Sequence, residues 1–269
     1  MSRLAAGVWV LCAACAAGPA QGAVLCTVLA DGDSGGILQQ QGDCQQRLSP
    51  ASTFKIPLSL MGYDAGYLTD AHHPALPFRE GYVALYPSWK STIDPTSWMK
   101  NSVVWYSQQL TAWLGRQRLQ RYVTQFDYGN RDLSGNPGMN DGLTQAWLSS
   151  SLRISPLEQV AFLQKLVNRQ LPVSPRAYAM TARITSVARL RGGWDVHGKT
   201  GTGYQMKPQD GPDLKHPIGW FVGWASKPGH TVVFASVIAD EAPQDSGAGP
   251  RARSALLQRL PGLLDSVAR

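Results

Sequence analysis

"SPASTFKIPLSL", residues 49–60, sets a serine three places before a lysine at the head of an apolar run. Residues three apart share a helical face, with about 5–6 Å between their Cβ atoms, so Ser52 and Lys55 would meet. Phe54, Ile56 and Leu58 surround the lysine with apolar side chains, and a charge among them loses hydration. Its pKa then falls and the neutral amine becomes accessible. A neutral amine can take the serine proton, and a helix N-terminus favours the resulting alkoxide. An N-capping serine followed by a snorkelling lysine would give the same letters. Pro57 removes an amide where a helix begun near Ser52 has already made its first turn, which predicts a local irregularity or a late helix start. A second match, Ser97 to Lys100 in "SWMK", means that the pair alone decides nothing.

The order of the other pieces decides. "SVV" at 102–104 lies fifty residues past Ser52, "YGN" follows at 128–130, and "KTG" stands on a strand at 199–201. A nucleophile at Ser97 would require its second serine at Ser107 or later, where no matching element stands. Each piece has a physical job. Lys199 supplies a cation and Thr200 a hydroxyl for a carboxylate, while Gly201 leaves room for substrate along the strand edge. The amides of Ser52 and Thr202 are placed to meet over one carbonyl oxygen as an oxyanion hole. Ser102 is a candidate relay of a proton to a departing amide nitrogen.

Serine-x-x-lysine, a second serine on a helical lobe and a lysine-threonine-glycine strand form the layout of penicillin-interacting serine enzymes. The chain resembles a class D (oxacillinase-type) serine β-lactamase over essentially all of its length past the leader. "ASTFKIP", "SVV", "YGN", "AWLSSSLRISPLEQV" and "KTGTG" carry the resemblance. A class A enzyme would show serine-aspartate-asparagine in place of "SVV". A metallo-enzyme would need clustered histidines, whereas only His72 and His73 are adjacent, in a proline-containing loop that reads as surface.

The resemblance implies that carbon dioxide carboxylates the amine of Lys55, and that this carbamate is the base for serine attack and for the hydrolytic water. Only a neutral amine reacts with carbon dioxide, and the anion formed needs donors inside an apolar pocket. The matching donor is the indole of Trp147, with Val104, Phe54 and Leu148 as walls. The substrate-carboxylate arginine is Arg253 by the arginine-x-x-aliphatic spacing to Leu256, with Arg251 close enough to leave the choice open. Tyr128 and Asn130 are expected to shape the cleft, and the loop "RDLSGNPGMNDGLTQ", longer than usual, to border it. Small-molecule β-lactams are the implied partners, and no cofactor is implied beyond carbon dioxide or bicarbonate. The same core serves D,D-peptidases and β-lactam sensor domains, which are acylated but deacylate slowly. Sensors carry membrane spans and peptidases an anchor or extra domains, neither of which is read here.

The ends of the chain bound the rest. Residues 1–22 hold Arg3, an apolar run from Leu4 to Ala17 and then small residues, a secretory signal cut after Gly22 or Ala23. A lipoprotein site at Cys15 lacks the usual aliphatic residue before it. Export to the periplasm of a Gram-negative bacterium follows from the leader and the resemblance. Cys26 and Cys44 then remain as an even pair for which a disulfide is the simple expectation, two buried thiols being the alternative. Removing Arg3 takes the net charge from +7 to +6, and the basic residues are scattered, which argues against nucleic acid. No later stretch is long and apolar enough for membrane insertion.

The remaining segments sort into elements. Residues 24–30 and 36–40 flank "DGDSGG" as a hairpin, and helical patterns lie near 98–110 and 112–125. "SPLEQVAFLQKLVNR" carries a capping box from Ser155 through Pro156 to Glu158, and "SPRAYAMTARI" opens similarly at Ser174 and Pro175. "WDVHGKTG", "IGWFVGWASK" and "TVVFASVIAD" read as strands, the last two joined by "KPGH", and the final helix is expected to break at Pro261. The fold class is α/β of the α+β type: an antiparallel sheet flanked by helices with an inserted helical lobe. After the leader, residues 23–269 form one domain, with an α/β lobe over about 23–58 and 156–269 and a helical lobe over about 59–155.

Overall fold

The apolar runs from the two ends of the chain meet in one sheet. The computed structural model describes residues 22–207, 211–242 and 244–267, so most of the leader and its lipoprotein alternative lie outside the described residues. The strands are β1 (Ala23–Asp31), β2 (Ile37–Gly42), β3 (Ser186–Arg189), β4 (Asp195–Lys207), β5 (Gly211–Lys227) and β6 (His230–Ala239). They are ordered β2-β1-β6-β5-β4-β3 with every neighbour antiparallel. Val28, Val222 and Val233 join the core on one face, Leu29, Phe221 and Phe234 that on the other. Burial of both faces explains why β1, β5 and β6 read as apolar runs.

One face is covered by a long C-terminal helix, Ala248–Val267, which sets Leu256, Leu260 and Leu264 on Leu29, Phe221 and Phe234. The expected break at Pro261 does not occur. Proline removes one amide bond, but Leu260 and Leu264 on either side stay buried, and this packing holds both halves in line.

On the other face lie α1 (Lys55–Asp64), α2 (Pro95–Asn101), α3 (Val104–Gln125), the single turn α4 (Gly142–Gln145), α5 (Pro156–Val167) and α6 (Pro175–Ile184), the C-terminal helix being α7. The capping box of α5 is formed on both sides, Ser155 Oγ accepting from Glu158 N and Glu158 Oε2 from Ser155 N. The two helices expected near 98–110 and 112–125 divide elsewhere. Ser102, left-handed at φ 60°, ends α2, and α3 runs to Gln125 across one non-helical residue, Gly115. A single apolar core joins sheet, α1, α3 and α5 through Val233, Leu60, Leu110 and Phe162. The Cys26–Cys44 disulfide is formed and ties β1 to the chain just past β2.

Candidate active site

Ser52 lies in a 3-10 turn, Ala51–Phe54, that gives way to α1 at Lys55. Pro57 therefore stands within the first turn of the α-helix, where its missing amide costs nothing. Ala51, just before the serine, has φ 47°, a left-handed conformation that is unfavourable for a residue with a Cβ. Hydrogen bonds hold the turn there: Thr53 N and Thr53 Oγ1 both donate to Pro50 O, at 3.1 and 2.6 Å. Lys55 is 1% exposed and its Nζ donates to Ser52 Oγ at 3.2 Å. Burial, and secondarily the charge of Lys199, holds its amine far below the usual lysine range.

The second serine arrives from the helical side and the second lysine from the sheet. Ser102 owes its place to the left-handed end of α2. Lys199, on β4, donates from Nζ to Ser102 Oγ at 3.0 Å, Thr200 O at 3.0 Å and Thr200 Oγ1 at 3.3 Å. Burial, then the nearby Arg253 charge, lowers its pKa to about 7. Ser97 takes no part: it closes a capping box with Asp94 at the start of α2, and Lys100 beside it is exposed.

Ser52, Ser102, Val104, Leu148, Thr200 and Thr202 line one cleft of about 580 Å³ between the helical part and β4. A Cβ at Gly201 would come within 2.9 Å of Pro50 O and 3.2 Å of Thr53 N. The space this glycine leaves is taken by the nucleophile turn, so on that side it sets how closely β4 approaches Ser52.

Residues 14–259 match the family of the penicillin binding protein transpeptidase domain. β-Lactamase OXA-9 of Klebsiella pneumoniae is 42% identical over 243 residues, covering 89% of this chain and 88% of its own length. β-Lactamase OXA-1 of Escherichia coli is 38% identical over 216 residues, 79% and 75% of the two chains. The crystal structure of OXA-427, a class D β-lactamase, is 53% identical with a TM-score of 0.87, over 90% of this chain and 99% of that one. The chain belongs to the class D β-lactamases.

Trp147 is fully buried in this class D β-lactamase, its ring stacked on Phe54 at 5.5 Å, and its Nε1 has no hydrogen-bond partner. An unpaired buried donor costs about 1–3 kcal/mol. The two arginines left open by the spacing separate: Arg251 pairs with the buried Asp240, whereas Arg253 lines a cavity with Lys199 and Thr200. His72 and His73 are exposed and pair with Asp94 and Asp70, and no cluster able to hold a metal occurs among the described residues.

Three expectations at the cleft need correction. Tyr128 is fully buried against Phe54 and Phe162, its hydroxyl accepting from Gln159 Nε2, so it packs behind the pocket instead of lining it. Asn130 donates to Ser151 O and accepts from Arg153 N, bracing the chain after Trp147. The 131–145 loop turns towards α3, with Gln120 bonded to Arg131 O and Arg116 to Asn140, and of its residues only Gln145 lines the cleft.

The sequence reading missed Ser49 and Ser149. Ser49 Oγ donates to Trp147 O at 2.9 Å and accepts from Ser149 N at 2.8 Å, while Ser149 Oγ accepts from Tyr204 N at 3.0 Å. These bonds tie the nucleophile turn, the tryptophan segment and β4 together. The only signal was a serine before Pro50 and another in "LSSSL".

Proposed function

We propose that this protein hydrolyses the cyclic amide of β-lactams through an acyl-enzyme on Ser52. The observation that carries this reading is the contact of Ser52 with a fully buried lysine whose pKa burial lowers, next to Phe54, on which Trp147 stacks with its indole N–H unpartnered. A neutral Lys55 amine is the form that reacts with carbon dioxide, and Trp147 Nε1 is the donor suited to hold the product between Phe54, Val104 and Leu148. Carboxylated in this way, Lys55 would supply the base for the Ser52 hydroxyl and for the deacylating water.

The remaining steps use groups of this chain. Ser52 Oγ loses its proton and bonds to the lactam carbonyl carbon, whose oxygen is held by the amides of Ser52 and Thr202. The ring carbon–nitrogen bond breaks, and the nitrogen takes the Ser102 hydroxyl proton, which Lys199 Nζ replaces. The ring carboxylate is held by the Thr200 hydroxyl, Lys199 and Arg253, with the substrate laid along β4 against Thr200 and Thr202. Water then attacks the ester and frees Ser52. Export to the periplasm fits the leader at residues 1–22 and the Cys26–Cys44 disulfide.

Intact-mass measurement with a slowly hydrolysed penicillin tests the nucleophile. The native protein should gain one penicilloyl group and Ser52→Ala none. An adduct on Ser52→Ala would place the nucleophile elsewhere.

A further inference from the structure

Beside the cleft, a second cavity of about 360 Å³ opens between α2, the end of α6, β3, β4 and α7. Both spaces are lined by Lys100 and Thr200, so they meet at that wall. Four cations line the second one: buried Lys199, and Lys100, Arg183 and Arg253, which are exposed. No aspartate or glutamate lines it among the described residues, and none of the four forms an ion pair there. A cation in the last turn of α6 suits the helix dipole at Arg183. That does not explain why unpaired cations from four elements surround one space. The like charge of Arg253 disfavours the ammonium of Lys199, and an anion in the shared space would relieve it.

We infer that this cavity takes a second anionic group of the substrate, a carboxylate or sulfonate on the ring substituent next to the ring carboxylate, with Lys100 and Arg183 as its partners. The inference rests on the reading that Ser52 is acylated with the ring carboxylate at Thr200 and Arg253. A substituent on the neighbouring ring atom is then directed past that wall. Lys100 and Arg183 make no contact that the proposed chemistry at Ser52 uses, so they act on choice of substrate.

The test uses two cephalosporins with the same acyl side chain, one with a neutral and one with an anionic 3-substituent. The rate of acyl-adduct formation is followed by intact mass, which reports acylation whether or not turnover follows. Arg183→Gln and Lys100→Gln should each leave the neutral compound within roughly twofold and slow the anionic one by roughly five- to twentyfold, as expected for a lost charge-assisted contact. Two different substitutions guard against a folding effect, since misfolding slows both compounds alike. An equal change in the rates of both compounds, relative to the native protein, in each variant would overturn the inference while leaving the Ser52 reading intact. Absence of any adduct with either compound would overturn both. Sulfate, titrated at constant ionic strength, separates a free ion from a substituent. Equal slowing of both compounds by sulfate, with no effect of substituent charge, would assign the cavity to free anions and overturn the proposal.

Discussion

At Lys55 the surroundings reverse the ordinary state of a side chain. Burial of an amine that is 1% exposed, and secondarily the charge of Lys199, lowers its pKa and favours the neutral base. Trp147, stacked on Phe54, the residue before Lys55, is a buried donor without an acceptor. Trp147→Ala should therefore acylate but deacylate slowly, by roughly 10²-fold or more on the scale of a lost general base. The check is an acyl adduct that persists by mass spectrometry with a good substrate, and prompt loss of the adduct would sink this role for the indole. Lys199 gives a pH dependence of definite sign. It is protonated below about pH 7 and neutral above. Both of its proposed roles need the proton, so kcat/KM should fall as pH rises through that value in the free enzyme. Removing the like charge in Arg253→Ala should move this limb to higher pH, whatever it does to the absolute rate. A limb that stays in place would mean that Lys199 is not the titrating group. The serine–lysine pair was legible because a three-residue spacing and an apolar neighbourhood are local. Tyr128 and Asn130 were misplaced because side chains near a cleft in sequence can point behind it, and only packing decides which.

Elements matter here through where they stop. The left-handed Ser102 ends α2 and sets its hydroxyl towards β4, a boundary that apolar periodicity over 98–110 does not reveal. The left-handed Ala51 similarly sets Ser52 on a 3-10 turn ahead of α1. β4 meets that turn through Gly201, where an added Cβ would stand 2.9 Å from Pro50 O. Gly201→Ala should push the strand from the turn and lower the acylation rate by one to two orders of magnitude, since roughly 1 Å of misplacement can cost about 10²-fold. Stopped-flow acylation with a chromogenic substrate measures this, and an unchanged rate would show that β4 and the turn adjust freely. The capping box of α5 was legible to the residue because serine, proline and glutamate act within one turn. The continuity of α7 through Pro261 was not, because the compensating contacts of Leu260 and Leu264 come from the sheet. Ser49 and Ser149 escaped for the same reason: their partners lie 98, 100 and 55 residues away.

Across the molecule, a sheet buried on both faces carries Lys199, and helices packed on it carry the two serines and Lys55. One core runs beneath both lobes, through Phe54, Leu110, Phe162 and Val233, so the cleft walls rest on a common base. Five of the strands and the antiparallel sheet could be read from apolar runs and turn residues, whereas the short, half-exposed β3 could not. Strand order, with β1 beside β6, joins residues about two hundred positions apart and came only from the fold. In the proposed mechanism the site supplies a nucleophile, a base activated by carbon dioxide, a proton relay and a carboxylate clamp. These parts serve a hydrolase only if the ester is cleared as readily as it forms. The direct measurement is product formed per enzyme over time with a chromogenic β-lactam, in buffer depleted of carbon dioxide and again with bicarbonate added. Sustained turnover that bicarbonate raises is the predicted result. A burst of one product per enzyme that stops in both buffers would contradict it, leaving a protein acylated at Ser52 with nothing to clear the ester.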